Sequence, residues 1–200
     1  GFGVTGPTGR GTSEHFDVMD GIDLYIGAYA KSMAAIGGFV AGPKAIIQYL
    51  RYNMRSQIYA KALPMAFVEG GLKRLEIIRG EEGDRLRAKL WEITRALQKG
   101  FRDLGFKIGP AEACVTPVFM EAGLAQATQI VVDLRSNYHI FCSIVTWPVV
   151  PKGIVMFRII PTAAHTMEDV QYTLDAFADV RKKLQEGAYK SDEIADMAIK

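Results

Sequence analysis

Lys31 and Arg158 are the residues whose chemistry the rest of this sequence must serve. Lys31 sits in Gly27-Ala28-Tyr29-Ala30-Lys31-Ser32-Met33-Ala34-Ala35-Ile36, small and apolar residues that run on into Gly37-Gly38-Phe39-Val40-Ala41-Gly42. Such neighbours desolvate an ammonium and favour the uncharged amine, the form that attacks an aldehyde to give a Schiff base. The other reading is a loop lysine that snorkels its charge to water. Arg158 stands in Ile154-Val155-Met156-Phe157-Arg158-Ile159-Ile160, apolar on both sides of a guanidinium that keeps its proton. A strand of this kind implies an acceptor for the arginine. A substrate carboxylate held by the planar fork is one candidate, and an internal Asp or Glu is the other.

His15, His139 and His165 share no spacing that suggests a metal site, and each reads as a surface or locally hydrogen-bonded residue. His165 has the best claim to a site. It follows the arginine strand in Pro161-Thr162-Ala163-Ala164-His165-Thr166, where it either helps close a pocket or orients the helix that comes next. Cys114 and Cys142 lie far apart in apolar, strand-like runs and read as reduced core residues. A net charge of +2 carries no polyanion-binding signature, so nucleic acid is not an expected partner. No run approaches the roughly 18 to 20 apolar residues of a membrane span, and the start does not resemble a signal peptide. The expected compartment is the cytoplasm.

These residues need elements to hold them. Ile22 to Ala28 and Gly38 to Ala41 read as short strands, apolar on both faces and hence buried, with a helix starting at Pro43. After a break at 59–64, Val68, Leu72, Leu75 and Ile78 form one helical stripe. Leu86, Leu90, Ile93, Leu97, Phe101 and Leu104 form another, which Gly105 closes as a C-cap. The remainder alternates: strand Cys114 to Met120, helix Leu124 to Leu134, strands Ile140 to Thr146 and Ile154 to Ile160, and a last helix opened by the capping box of Thr166 and Asp169. Its stripe is Val170, Leu174, Phe177, Val180 and Leu184. The proline-bounded loop Trp147-Pro148-Val149-Val150-Pro151-Lys152-Gly153 is stiff and apolar, suited to a lid or pocket wall. The class is α/β, with residues 1–64 around the lysine, linking helices over 65–109, a small α+β domain over 110–187 and a tail without a stripe over 188–200.

The lysine segment with its Gly-Gly-Phe-Val-Ala-Gly sequel, the arginine strand and Ala-Ala-His-Thr together resemble the α-oxoamine synthases, fold-type I pyridoxal-phosphate enzymes. The resemblance runs from Gly1 to about Lys190. It implies that the chain is the C-terminal half of a longer polypeptide, carrying part of the large cofactor domain and a small C-terminal domain. It also implies decarboxylative condensation of an amino acid with an acyl-CoA, in a homodimer that meets a membrane only through a lipid product. Lys31 is then the Schiff-base residue, Arg158 and His165 belong to the substrate site, and Lys61 reaches the cofactor phosphate. The cadences Arg55-Ser56-Gln57-Ile58-Tyr59-Ala60-Lys61 and Tyr138-His139-Ile140-Phe141-Cys142-Ser143 are most similar to the bacterial serine palmitoyltransferase branch. Pro-Val-Val-Pro-Lys-Gly is shared with glycine acetyltransferase, the runner-up. Ala28 replaces a phosphate-binding threonine common in the family, and Ala60 a hydroxyl residue. Both favour a rival reading, a non-catalytic fragment or partner subunit.

Overall fold

The computed structural model describes residues 1–190. Two compact units result, residues 1–88 and the chain from Lys89 onward.

The first unit begins with a glycine-rich loop and two short helices, α1 (Thr12–His15) and the 3-10 turn Met19–Gly21. The loop is tied down by Glu14, whose carboxylate accepts the Thr8 hydroxyl and the N–H groups of Thr8 and Arg10. Strands β1 (Tyr25–Ala28) and β2 (Gly38–Ala41) pair antiparallel, with Gly27 opposite Phe39 and Ala28 opposite Gly38. Helices α2 (Lys44–Asn53), α3 (Arg55–Ile58) and α4 (Met65–Arg79) follow, and α5 (Glu81–Asp103) starts after Gly80. Arg87 is buried and donates to the Ile78 carbonyl at 2.8 Å, satisfying one of the orphan acceptors at the end of α4. The buried strands expected from the sequence are not found. Ile26 is 80% exposed, and neither strand contains a buried residue. A two-stranded hairpin covers neither of its own faces, and apolar composition alone does not say what packs on them.

The second unit has a continuous core. Strands β3 (Thr116–Phe119), β4 (Ser143–Val145) and β5 (Met156–Ile159) form an antiparallel sheet in the order β3-β5-β4, with β5 central. Helix α6 (Leu124–Tyr138) lies between β3 and β4 in sequence, and α7 (Met167–Gln185) closes the unit. Val118, Phe157 and Ile159 from the sheet share one cluster with Ile93, Leu97 and Phe101 of α5, Ile130 and Leu134 of α6, and Val170, Phe177 and Val180 of α7. At its centre the Phe177 ring meets Phe101, Phe106 and Phe157 edge-on, at centroid distances of 5.0, 5.9 and 6.4 Å.

The helix signals act as read. Gly105, at φ 79°, ends α5 in a Schellman motif in which the N–H groups of Phe106 and Gly105 reach the carbonyls of Phe101 and Arg102. The Thr166 hydroxyl accepts the Asp169 N–H at 3.2 Å, and the Asp169 carboxylate accepts the Thr166 N–H at 2.8 Å. Cys142 is buried and Cys114 half-buried, both as free thiols. The tail expected over 188–200 is held over its described part, where Tyr189 is buried and donates to Asp133 at 2.6 Å. Residues 191–200 lie outside the described residues. No helix among the described residues is long and apolar enough to cross a membrane.

Candidate active site

Lys31 occupies the turn-rich loop, residues 29–37, that joins β1 to β2. The turn is fixed from within: the Tyr29 N–H donates to Gly37 at 2.9 Å, Ala35 to Tyr29 at 3.0 Å, and Ala34 to Lys31 at 3.0 Å. The glycine-rich loop is fastened to it by the Ser32 hydroxyl, which donates to the Phe2 carbonyl at 2.6 Å. Only glycine allows that approach at position 3, where φ is +79° and a Cβ would stand 2.9 Å from the Ser32 side chain. Behind the turn lies an apolar groove of about 400 Å³, lined by Phe2, Tyr29, Met33 and Phe39 and by Val68, Leu72 and Leu75 from the α4 stripe.

Lys31 itself is exposed, so the desolvation its neighbours suggested is not supplied by the described residues. Its apolar neighbour Met33 is the one that turns inward, at 4% exposure. Among the described residues Lys31 makes no ion pair, which leaves a primary amine on a backbone-fixed turn. That donor chemistry fits pyridoxal phosphate. Lys61 is exposed in the segment between α3 and α4, also without an ion pair among the described residues, and Ala28 and Ala60 offer no hydroxyl.

In the second unit Arg158 differs from its sequence reading. The strand alternates, sending Phe157 and Ile159 into the core and Arg158 to the open face of the sheet. No burial cost therefore arises, because a three-stranded sheet with one packed face leaves the other free. Among the described residues no Asp or Glu pairs with Arg158, so the internal ion pair is not formed there. Pro117 and Ser143 stand directly opposite Arg158 on the two flanking strands and share its face. Ser143 was invisible to sequence reasoning, since only the strand pairing places it beside Arg158.

His165 is exposed, and its Nδ1 accepts the Thr162 N–H at 2.9 Å, which puts the ring proton on Nε2. The bond shapes the turn that leads into the α7 cap. His165 also lines a cleft of about 570 Å³ with His139, Phe141, Ile160, Asp169 and Tyr172, in which Arg158 takes no part. Burial pushes the Cys142 thiol up to about 12, which removes it as a nucleophile. No group of three or more His, Cys, Asp or Glu among the described residues is placed to hold a metal.

Residues 2–177 match the model of the family "Aminotransferase class I and II". The chain is 50% identical over 191 residues to a cysteate-C-fatty acyltransferase of Capnocytophaga ochracea, covering 96% of this chain and 45% of that one. It is 34% identical over 182 residues to a serine palmitoyltransferase of Bacteriovorax stolpii, covering 91% and 42%. A serine palmitoyltransferase of Sphingomonas wittichii superposes with a TM-score of 0.84 at 27% identity, over 95% of this chain and 47% of that one. The chain thus spans about half the length of the relatives it matches. Its α/β fold is that of fold-type I pyridoxal-phosphate enzymes, as the lysine and arginine segments implied. The chain belongs to the aminotransferase class I and II family.

Proposed function

We propose that the protein to which this chain contributes is a pyridoxal-phosphate-dependent α-oxoamine synthase. It condenses an amino acid with a fatty acyl-CoA and releases carbon dioxide and CoA. The observation that carries the reading is Arg158, a guanidinium on the open face of the central strand with no ion pair among the described residues. Bound pyridoxal phosphate supplies the electron sink that makes an amino acid's α-carbon nucleophilic. Lys31 Nζ holds the cofactor and, as the free amine, takes the α-proton. Arg158 grips the substrate carboxylate through its two parallel N–H donors, and His165 keeps the turn beside that strand in place. Lys61 adds positive charge toward the phosphate, where Ala28 and Ala60 give no hydrogen bond. The expected assembly is a cytoplasmic homodimer.

The relatives bear on the amino acid. Identity to the cysteate enzyme is 50%, against 34% for the serine enzyme, and this supports cysteate over the serine that the sequence cadences suggested. CoA release by the full-length protein with pyridoxal phosphate tests the assignment, with cysteate plus palmitoyl-CoA, serine plus palmitoyl-CoA and glycine plus acetyl-CoA compared in parallel. Release with cysteate is the expected result. Release with serine moves the assignment to the palmitoyltransferase branch, and release only with glycine and acetyl-CoA moves it to glycine acetyltransferase. Absence of release with every pair overturns the enzyme reading and leaves a non-catalytic partner subunit.

A further inference from the structure

We infer that Ser143 is a second contact to the substrate's acid group, working beside Arg158 as a specificity-determining residue; the inference rests on the carboxylate role of Arg158 proposed above. The register places Ser143 of β4 directly opposite Arg158 of β5. Directly opposed residues send their side chains to one face, with Cβ atoms about 5 Å apart. Around them that face is apolar: Pro117 flanks Arg158 on the other side, and Phe119, Met156 and Val145 form the next row of the ladder. Among the ladder residues of that face, Arg158 and Ser143 are the polar pair. The Ser143 hydroxyl makes no hydrogen bond among the described residues, although it is half-buried. With no protein partner there, that hydroxyl is left to water or to a ligand.

An acid group bonded to the Arg158 fork retains a lone pair for one more donor. A hydroxyl on the adjacent strand, held by the same ladder, is at the right spacing to supply it. A carboxylate or sulfonate oxygen accepts such a bond, whereas an amine without the acid group places no charged acceptor against the Arg158 fork.

The test is calorimetric titration of the cofactor-loaded full-length protein with the amino acid and, separately, with ethanolamine, which lacks the acid group. Ser143→Ala is expected to weaken amino-acid binding about tenfold, the scale of one hydrogen bond to a charged group. Ethanolamine binding should stay within twofold. Ser143→Thr keeps the hydroxyl and should restore amino-acid affinity. In an Arg158→Ala background, Ser143→Ala should change affinity less than twofold, because the acid group is no longer held against the strand. Equal losses for both ligands, or no loss for either, overturn the role of Ser143 while leaving Arg158 standing. Unchanged amino-acid binding in Arg158→Ala overturns the carboxylate assignment itself, and Ser143 with it. If Ser143→Ala fails to fold, Ser143→Cys removes the oxygen at similar volume and carries the same expectations.

Discussion

Asp133 gathers three side-chain hydrogen bonds in the second unit, and its replacement by Asn should be felt as a pH-dependent loss of stability. One carboxylate oxygen accepts Lys183 Nζ at 3.0 Å and the Tyr189 hydroxyl at 2.6 Å, and the other accepts Asn137 at 2.6 Å. The side chain is 13% exposed, so these bonds are made largely out of water. Asp133→Asn keeps the volume and removes the charge. Lys183 is not stranded, because Asp179 at 3.4 Å and the Tyr138 hydroxyl at 2.9 Å remain. The cost should thus be about 2–3 kcal/mol, below the roughly 3–5 kcal/mol of an orphaned buried charge. For a chain of this size that lowers Tm by about 5–10 °C.

The direction with pH follows from the titration of Asp133. Burial alone would raise its pKa, but the bonds from Tyr189, Asn137 and Lys183 outweigh burial and hold it below the usual carboxylate range. A carboxylate depressed in the native state contributes its full stability above the unfolded value of about 3.9 and loses it as pH falls through the native value. Thermal and urea unfolding of wild type and variant should therefore differ by a constant amount from about pH 5 to 8 and converge below about pH 4. The exposed pair Lys99–Asp103 is the control, and Asp103→Asn should cost less than about 0.5 kcal/mol. A loss at pH 7 no larger than that control, or a gap that widens on acidification, refutes the account of the network.

Three further outcomes are expected. Phe177→Ala, which empties the centre of the aromatic cluster, should destabilise by about 3–5 kcal/mol in urea unfolding; a cost near 1 kcal/mol means the cluster is not the keystone of the core. At pH 8 a thiol reagent should modify half-buried Cys114 while Cys142 stays unmodified in the native state, read by mass spectrometry with and without denaturant. Borohydride reduction of the cofactor-loaded full-length protein should leave the cofactor's mass on the peptide containing Lys31, and Lys31→Ala should abolish both that label and CoA release. Label on another lysine assigns the Schiff base elsewhere.

Those expectations rest on features the sequence exposes unequally. The stripes of α5 and α7 are legible because a helix that covers a core must repeat its apolar residues every three or four positions, and caps such as Thr166–Asp169 and Gly105 are local chemistry. The four-residue α3 carries too few residues for a period to show. Burial of β1 and β2 is not legible for another reason: apolar residues call for cover, and Ile26 shows that the described chain does not provide it. Residue types single out Lys31 and Arg158 as candidates, but not the exposure of either. The neighbour of Arg158 was hidden altogether, since Cys142-Ser143 reads like any strand until its register against β5 is known.

The central position of β5 has a consequence for how such a protein changes its diet. Arg158 rides on a strand laddered to β3 on one side and β4 on the other, so its Cα is anchored by two rows of backbone bonds. A mutation that shifts this strand must break both rows, whereas β4 is laddered on one side only. On the proposed role of Arg158, directed evolution toward a new amino acid should keep it as a constant anchor and collect its successful changes at Ser143, Val145 and the Trp147–Gly153 loop. On that proposal the acid group stays where it is, and what varies is the wall built around it.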